Sequence, residues 1–378
     1  MAGKQIWRTI TDDNVDASYS LAADEILMRG CAGGSEDQRV STLRLCTYRS
    51  HFALVGQFQD IHAEIDLDEC ERLGVVVNRR PSGGGAIVVG KGQLGAALAV
   101  SPWSAGGLRH PAEIFARCAG AIIAGLRDWG VAASLEANNA IVVDDRKIGS
   151  AALCLDDREV VLFHANLLVD SDLALMSQLL GILRDKRPGQ TVAVTTVMAE
   201  KWRQGQTDAV TTSIAREHIR QAFEREFDVT LRQEPFGRSE SSRIEELRRM
   251  KYDTRKWIFD ANPAGDAIGS SLAKTRGGLL RVYVSLTGQL LQRVMITGDF
   301  FGTARAIGRL EAALTWGPAD PAEVAKAVAG VCAPDDPDAG IVGVSQTELS
   351  QAISQAVANA RRQHASLVPR RLSQEALA

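Results

Sequence analysis

The chain has 378 residues, of which 45% are hydrophobic and 24% charged, with a net charge of −3. That length allows two or three domains with proper cores, and the near-neutral balance excludes the basic footprint of a nucleic-acid binder or a polybasic membrane contact. No window approaches ~18 uncharged apolar residues, so no membrane span is expected.

The opening MAGKQIWRTITDDNVD turns acidic without an apolar core of signal length, so the chain reads as cytoplasmic. Six cysteines stand singly (Cys31, Cys46, Cys70, Cys118, Cys154 and Cys332); none is spaced as CxxC, so zinc is not expected and reduced thiols are.

In chain order, Ala17 to Arg29 reads as a helix stopped by Gly30. TLRLCTYRSHFALVGQFQD, GVVVNRR, GAIVVG and GAALAVSPW carry strand patterning. Pro111 opens a long helix with Glu113 in its first turn and Gly130 beyond its end. AIVVDDRKIGSAALCLDDREVVLFHANLLVD reads as a meander with turns at Asp144-Asp145 and at Asp156-Asp157-Arg158. Helices follow near Leu173–Leu183 and Thr212–Phe227, then a polar linker near 233–243. Beyond it, GLLRVYVSL and QLLQRVMI flank Thr287-Gly288 as a hairpin. Helices are expected over Thr303–Leu314, after an Asp320 cap with Pro321 first, and after a Ser345–Glu348 capping box, with a frayed tail beyond Gln363. Adjacent hairpins with helices alongside predict an α+β fold of mixed, largely antiparallel sheets with flanking helices. The expected organisation is a catalytic domain over 1–235, a small α+β accessory domain over 244–345, and a terminal helix and tail over 346–378.

The stretch Arg79–Gln93, RRPSGGGAIVVGKGQ, carries the chemistry. Gly85 to Lys91 fits G-x4-G-K, but Gly92 stands where a phosphate loop needs a Ser or Thr hydroxyl, and Ala-Ile-Val-Val favours a strand. Val88 likewise breaks a dinucleotide G-x-G-x-x-G pattern. What remains is a tight, side-chain-free turn behind two guanidiniums and a serine, where backbone amides can approach an anion closely. The bland alternative is a glycine-rich hairpin with surface arginines.

A second constellation lies at 139–164: NNAIVVDDRKIGSAA and then FHANLLVD. Together the two stretches resemble the lipoate–protein ligase family, within the larger group of biotin ligases and lipoyl/octanoyl transferases. Its R-R-x-[ST]-G-G-G-[AT] loop is matched by Arg79, Arg80, Pro81, Ser82, Gly83, Gly84, Gly85 and Ala86, and its K-[IL]-x-G-[ST]-A segment by Lys147 to Ala151. Its Asn-Asp pair is Asn139-Ala140 here, one residue of the lysine motif is missing, and its His-Gly pair is His164-Ala165. LAADEILMR, ALVGQFQD, VDSDLALM, Trp257 and ITGDFF extend the likeness over most of residues 5–350, the last two resembling a ligase-type C-terminal accessory domain.

The resemblance implies an ATP-dependent, AMP-forming lipoate–protein ligase. Lipoate becomes lipoyl-AMP, and the lipoyl group passes to a lysine of a carrier. Lys147 would be the catalytic residue, its ammonium stabilising developing negative charge. Arg79, Arg80, Ser82, Gly83, Gly84, Gly85, Ala86, Asn139, Gly149, Ser150, Ala151 and His164 would bind substrate or adenylate. Val77 and Ala86 would line an apolar slot for the lipoyl tail. A core role for His164 stays open. ATP with Mg²⁺ is implied, the metal's ligands being unassigned, and Asp24 and Glu25 read as structural. The implied partner is an apo lipoyl-domain carrier: a glycine-cleavage H-like protein, a dehydrogenase acyltransferase domain or a dedicated lipoate-binding protein. The ligase itself is expected as a monomer, with no nucleic-acid or membrane partner.

Rival readings are a biotin ligase, a non-catalytic acyl-binding paralogue, and a transferase moving octanoyl from acyl carrier protein through a cysteine. For the last, Cys154 is the candidate nucleophile, with Cys31 and Cys70 behind it. Seven residues separate Cys154 from Lys147, which on an unbroken strand puts them on opposite faces, unless a bulge intervenes.

Overall fold

The computed structural model describes residues 4–31, 41–100, 111–136, 139–155, 160–180, 191–202, 210–259, 269–332 and 341–367. The expected turn at Asp156–Arg158 and most of the tail lie outside them. The chain divides into two compact units, Met1–Gly56 with Ile61–Asp260, and Gln57–Asp60 with Ala261–Ala378.

Strands of the first unit are β1 (Gln5–Val15), β2 (Thr42–Tyr48), β3 (Phe52–Val55), β4 (Val76–Arg79), β5 (Ile87–Val89), β6 (Gln93–Val100), β7 (Ser134–Leu135), β8 (Ala140–Val143), β9 (Arg146–Leu155), β10 (Val161–Leu168) and β11 (Val229–Gln233). Its helices are α1 (Ala17–Cys31), α2 (Ile61–Glu64), α3 (Leu67–Leu73), α4 (Pro111–Asp128), α5 (Leu173–Leu179), α6 (Val194–Trp202), α7 (Thr212–Phe227), α8 (Arg238–Leu247) and α9 (Arg255–Phe259), with a π-helical turn at Arg248–Tyr252.

Eight strands form one sheet in the order β11-β1-β2-β6-β10-β9-β8-β7. The β1 strand pairs in parallel with β11 and β2, and the remaining pairs are antiparallel, as the adjacent hairpins predict. A second, three-stranded sheet runs β4-β3-β5.

The alternation of β6 and β10 explains how the large sheet is covered on both sides. Leu94, Ala96, Leu98, Phe163, Ala165 and Leu167 pack on one face against Ile114, Ile122 and Leu126 of α4 and Ile219 and Phe223 of α7. The other face carries smaller groups, Gly95, Ala97 and Ala99, and receives Leu27 and Met28 of α1. A Cβ on Gly95 would lie 2.2 Å from the Tyr48 hydroxyl oxygen, so this position has no room for a side chain. On this face the fully buried Arg44 pairs with Asp12 at 2.9 Å and Asp24 at 2.8 Å. Glu25 meets Lys251 at 2.7 Å and the Tyr252 hydroxyl. Burial pushes the Glu25 carboxyl up, but Lys251 and the Tyr252 hydrogen bond outweigh it and leave the group below the usual range. Both acids of the α1 pair are thus held in structural ion pairs.

The polar stretch at 233–243, expected as a linker, contains the first turn of α8, whose Ile244 and Leu247 are buried with Ala22, Ile26 and Phe52 of the first unit. Arg8 bridges to Glu240 at 2.7 Å. Polar composition marked an exposed surface there, not a boundary; the division falls at Asp260/Ala261. Trp257, expected in the accessory domain, belongs to α9 of the first unit.

The second unit has an antiparallel sheet of β12 (Gly269–Thr275), β13 (Gly278–Thr287) and β14 (Leu290–Gly298), the pair β15 (Phe301–Gly302) and β16 (Ile341–Val342), and helices α10 (Ala304–Leu314), α11 (Pro321–Val331) and α12 (Gln346–Leu367). The Asp320 cap on α11 and the Ser345–Glu348 capping box on α12 form as their sequences predict. No helix among the described residues is long and apolar enough to cross a membrane.

Candidate active site

The β4 strand delivers Arg79 and Arg80 to the glycine turn, and β5 carries the chain away from it. Arg79 is buried with its guanidinium spent on main-chain carbonyls: Gly56 at 2.9 Å, Trp257 at 3.2 Å and Ile258 at 3.0 Å. Trp257 Nε1 donates back to the Arg79 carbonyl at 2.7 Å. Arg79, expected at the ligand, therefore anchors the root of the loop.

Arg80 reaches into the loop itself. One guanidinium nitrogen donates to the carbonyls of Gly83 at 2.9 Å and Gly85 at 2.7 Å. These two bonds hold the Gly83 and Gly85 carbonyls toward the arginine. Gly84 sits at φ 92°, where a Cβ would be strained, and its carbonyl lies 2.1 Å from where a Cβ on Gly56 would be. Val77 and Ala86 join an apolar cluster with Val55, Ile61, Val88 and Leu179.

Ser82 is fully buried, and its Oγ lies 2.7 Å from His164 Nε2 on β10. This contact ties the loop to the large sheet. Burial, and then the charge of Arg80, lowers the His164 pKa to about 3 from an ordinary 6.5. The imidazole is neutral at physiological pH, and Ser82 meets an uncharged ring. Between pH 6.5 and 3 the unfolded chain binds the extra proton, so stability is fully present above 6.5 and lost as pH falls through that window. The melting temperature is expected to drop on acidification below pH 6.5, and His164→Gln should flatten that slope. An unchanged slope in the variant would show that His164 is not the group responsible.

A bulge decides where Lys147 points. Asp144 and Asp145 form the β8–β9 turn with φ 49° and 58°, the left-handed pair that a two-residue hairpin requires. Just past it the pairing shifts: Val142 faces Lys147, but Ile141 faces Gly149, leaving Ile148 extra on β9. Ile148 turns into the core with Ile141, Val143 and Ala151, and Lys147 turns the opposite way with Val142. That is the face of Ser150, which pairs with Asn166, and of His164, which pairs with Ala152. Lys147, Ser150, His164 and, through His164, Ser82 with the glycine loop are thus brought to one side of the sheet.

Ala151 is not among them. Its methyl lies in the core of the opposite face with Phe163, and Gly149 points the same way, where a Cβ would come within 2.7 Å of the Asn166 carbonyl. Asn139 sits at φ 63° beside the β7–β8 turn, and its carbonyl accepts from Ala151 N at 3.0 Å.

Sequence reasoning missed the pair Gln93–Asn166. Gln93 is fully buried, donates to the Val88 carbonyl at 3.3 Å and accepts from Asn166 Nδ2. Asn166 Oδ1 is buried with no hydrogen-bond partner among the described residues. A polar residue two places beyond His164 was the available signal, since period-2 alternation puts both on one face. Among the described residues no three His, Cys, Asp or Glu side chains gather as a metal cage.

Residues 16–224 match the family model described as the lipoyl protein ligase A/B catalytic domain. Octanoyltransferase LipM of Geobacillus kaustophilus is 25% identical over 285 residues, covering 68% of this chain and 99% of the relative. Lipoate-protein ligase A subunit 1 of Thermoplasma acidophilum is 28% identical over 252 residues, covering 63% of this chain and 90% of the relative. Among solved structures, P. falciparum LipL1 in complex with lipoate superposes with a TM-score of 0.70 at 14% identity, covering 92% of this chain and 99% of that one. The glycine loop, the lysine strand and the histidine strand all fall within the matched segment, and the chain belongs to the lipoyl protein ligase A/B catalytic-domain family.

Proposed function

We propose that this protein is an ATP-dependent lipoate–protein ligase. A lipoate carboxylate oxygen attacks the α-phosphorus of ATP, the bond to pyrophosphate breaks, and lipoyl-AMP forms. The amine of a carrier lysine then attacks the acyl carbon, AMP leaves with the bonding electrons, and the amine's proton is lost to a base. Both steps build negative charge at the oxygens between acyl carbon and phosphorus. A fixed Lys147 ammonium, with the amides of Gly83 to Gly85, suits that charge. The apolar cluster holding Val77 and Ala86 supplies a wall for the lipoyl tail.

The observation that carries the ligase reading is the position of the cysteines relative to Lys147. The bulge puts Cys154 on the same face as Lys147, removing the parity objection to it. Yet roughly 20 Å of strand separates the two, at about 3.3 Å per residue, too far for both to act on one carbonyl. Cys31, Cys46, Cys70 and Cys118 are buried. Burial pushes the thiols of Cys46, Cys70 and Cys118 up, Cys70 to about 11, which disfavours the thiolate a transferase needs. The transferase reading keeps its own support: several of the matched relatives are named octanoyltransferase LipM, and those of Geobacillus kaustophilus, Carboxydothermus hydrogenoformans and Anoxybacillus flavithermus each cover 68% of this chain.

Incubation of an apo lipoyl domain with this protein and lipoate, read by intact mass, separates the two. A lipoyl adduct is expected with ATP and Mg²⁺ only, and Lys147→Ala should lower its rate at least ~100-fold. Transfer from octanoyl acyl carrier protein without ATP, with no ATP-dependent adduct, would make the protein a transferase.

A further inference from the structure

The acceptor half of the reaction makes a demand that Lys147 cannot meet. A carrier lysine arrives as an ammonium with no lone pair, and a neighbouring cation opposes its approach. Attack on the adenylate requires an acceptor near Lys147 that takes a proton. The pairing register points to one. Leu135 faces Ile141 across the β7–β8 hairpin, and both side with the α4 core. The next residue, Glu136, therefore belongs to the opposite face, the face of Lys147. It donates its main-chain N–H to the Ala140 carbonyl at 2.9 Å, which sets it across from Ala140. Ala140 faces Ser150, and Ser150 faces Asn166. One row across the sheet thus reads Glu136, Ala140, Ser150, Asn166. Lys147, opposite Val142, stands in the adjacent row on the same face.

The spacing suits a reacting group. Two strands and one row separate Glu136 from Lys147, roughly 12 Å between Cα atoms. Two long side chains converging from that distance leave room for an acyl carbonyl and an amine between them. Glu136 is exposed, and among the described residues β7 is the last strand of the sheet and nothing covers the row at that end. At the other end Asn166 Oδ1, buried and without a partner among the described residues, is an acceptor without a donor. A row of acceptors, carboxylate, hydroxyl and amide oxygen, is what an ammonium requires and what a phosphate does not.

We propose that Glu136 is the catalytic base of the transfer step: its carboxylate accepts the hydrogen bond of the carrier's lysine ammonium and takes the proton as the N–C bond forms, while Ser150 and Asn166 steady the amine. The proton passes from Glu136 to solvent after AMP departs. This rests on the ligase reading above and deepens it by assigning the acceptor site.

The test supplies lipoyl-AMP ready-made to the full-length protein and varies the amine. Apo lipoyl domain and n-butylamine are basic amines that must lose a proton; hydroxylamine is already neutral near pH 7. Glu136→Gln is expected to slow transfer to both basic amines by about 100-fold, the usual size of general-base catalysis, and to leave hydroxamate formation within about twofold. Glu136→Asp should recover part of the loss. Equal rates for wild type and Glu136→Gln with butylamine, or equal losses with all three amines, would overturn the proposal. Formation of lipoyl-AMP from lipoate and ATP by the wild type, measured separately, tests the ligase reading and not Glu136.

Discussion

Arg80→Ala is expected to be among the most damaging single substitutions in the chain. The guanidinium donates to the carbonyls of Gly83 and Gly85 at 2.9 and 2.7 Å from a buried position. Charge-assisted hydrogen bonds of this kind contribute about 1.5–3 kcal/mol each, and truncation leaves both acceptors unpaired. A stability loss of about 3 kcal/mol follows, roughly 8 °C in the melting temperature of a unit this size. The functional loss should be larger. With its carbonyls released the loop loses its shape, and under the ligase reading proposed above the rate of lipoate activation should fall at least ~100-fold. Arg80→Lys keeps the charge but not the planar fork that reaches two carbonyls at once. It should recover stability more than activity. Calorimetry together with lipoate-dependent ATP–pyrophosphate exchange measures both, and wild-type exchange in Arg80→Lys would show that charge alone suffices.

Gly56→Ala tests the same loop from beneath. A Cβ at this position would lie 2.1 Å from the Gly84 carbonyl oxygen and 3.3 Å from the Gly83 carbonyl carbon. No real contact is that short, and the obstacle is backbone, so the loop must move. Gly84, at φ 92°, has few conformations to move into. Under the same ligase reading, the expected result is a loss of activation by ~100-fold or more with an unchanged circular dichroism spectrum. Gly120→Ala is the matched control: in α4 nothing lies within 4 Å of its Cβ position, so activity should hold and the helix gain about 0.5–1 kcal/mol. Full activity in Gly56→Ala would mean that the loop does not need its close approach to β3.

The two predictions concern residues of different legibility. Ser82 and the three glycines stand out in the sequence because a side-chain-free turn has few uses. Gly56 could not, because its constraint comes from Gly84, twenty-eight residues away. Arg79 and Arg80 look alike in the sequence, two guanidiniums side by side. The structure separates them: Arg79 is tied to Trp257 and Ile258, and Arg80 to the loop. Alternation along β4 puts neighbouring side chains on opposite faces, and only the positions of α9 and the loop say what each face meets. The polar stretch at 233–243 misled in the other direction. Its composition suits a linker, but Ile244 and Leu247 just beyond it carry the buried side of α8.

Local choices were determined by the sequence alone. The ends of α7, the Asp144-Asp145 turn, the caps of α11 and α12 and the hairpin around Thr287-Gly288 depend on neighbours within a few residues, and the physics that selects them acts at that range. The family resemblance, too, rests on contiguous motifs. The tertiary structure alone decided which face of β9 carries Lys147. Lys147 and Cys154 are an odd number of residues apart, and their own strand carries no mark of the extra residue between them. The bulge exists because β8 pairs Val142 with Lys147 and Ile141 with Gly149, while Ile148 has a place in the α4 core. A one-residue shift reverses every side chain before it, so the face that Lys147 takes depends on a partner strand and a core that the lysine's own neighbours do not encode.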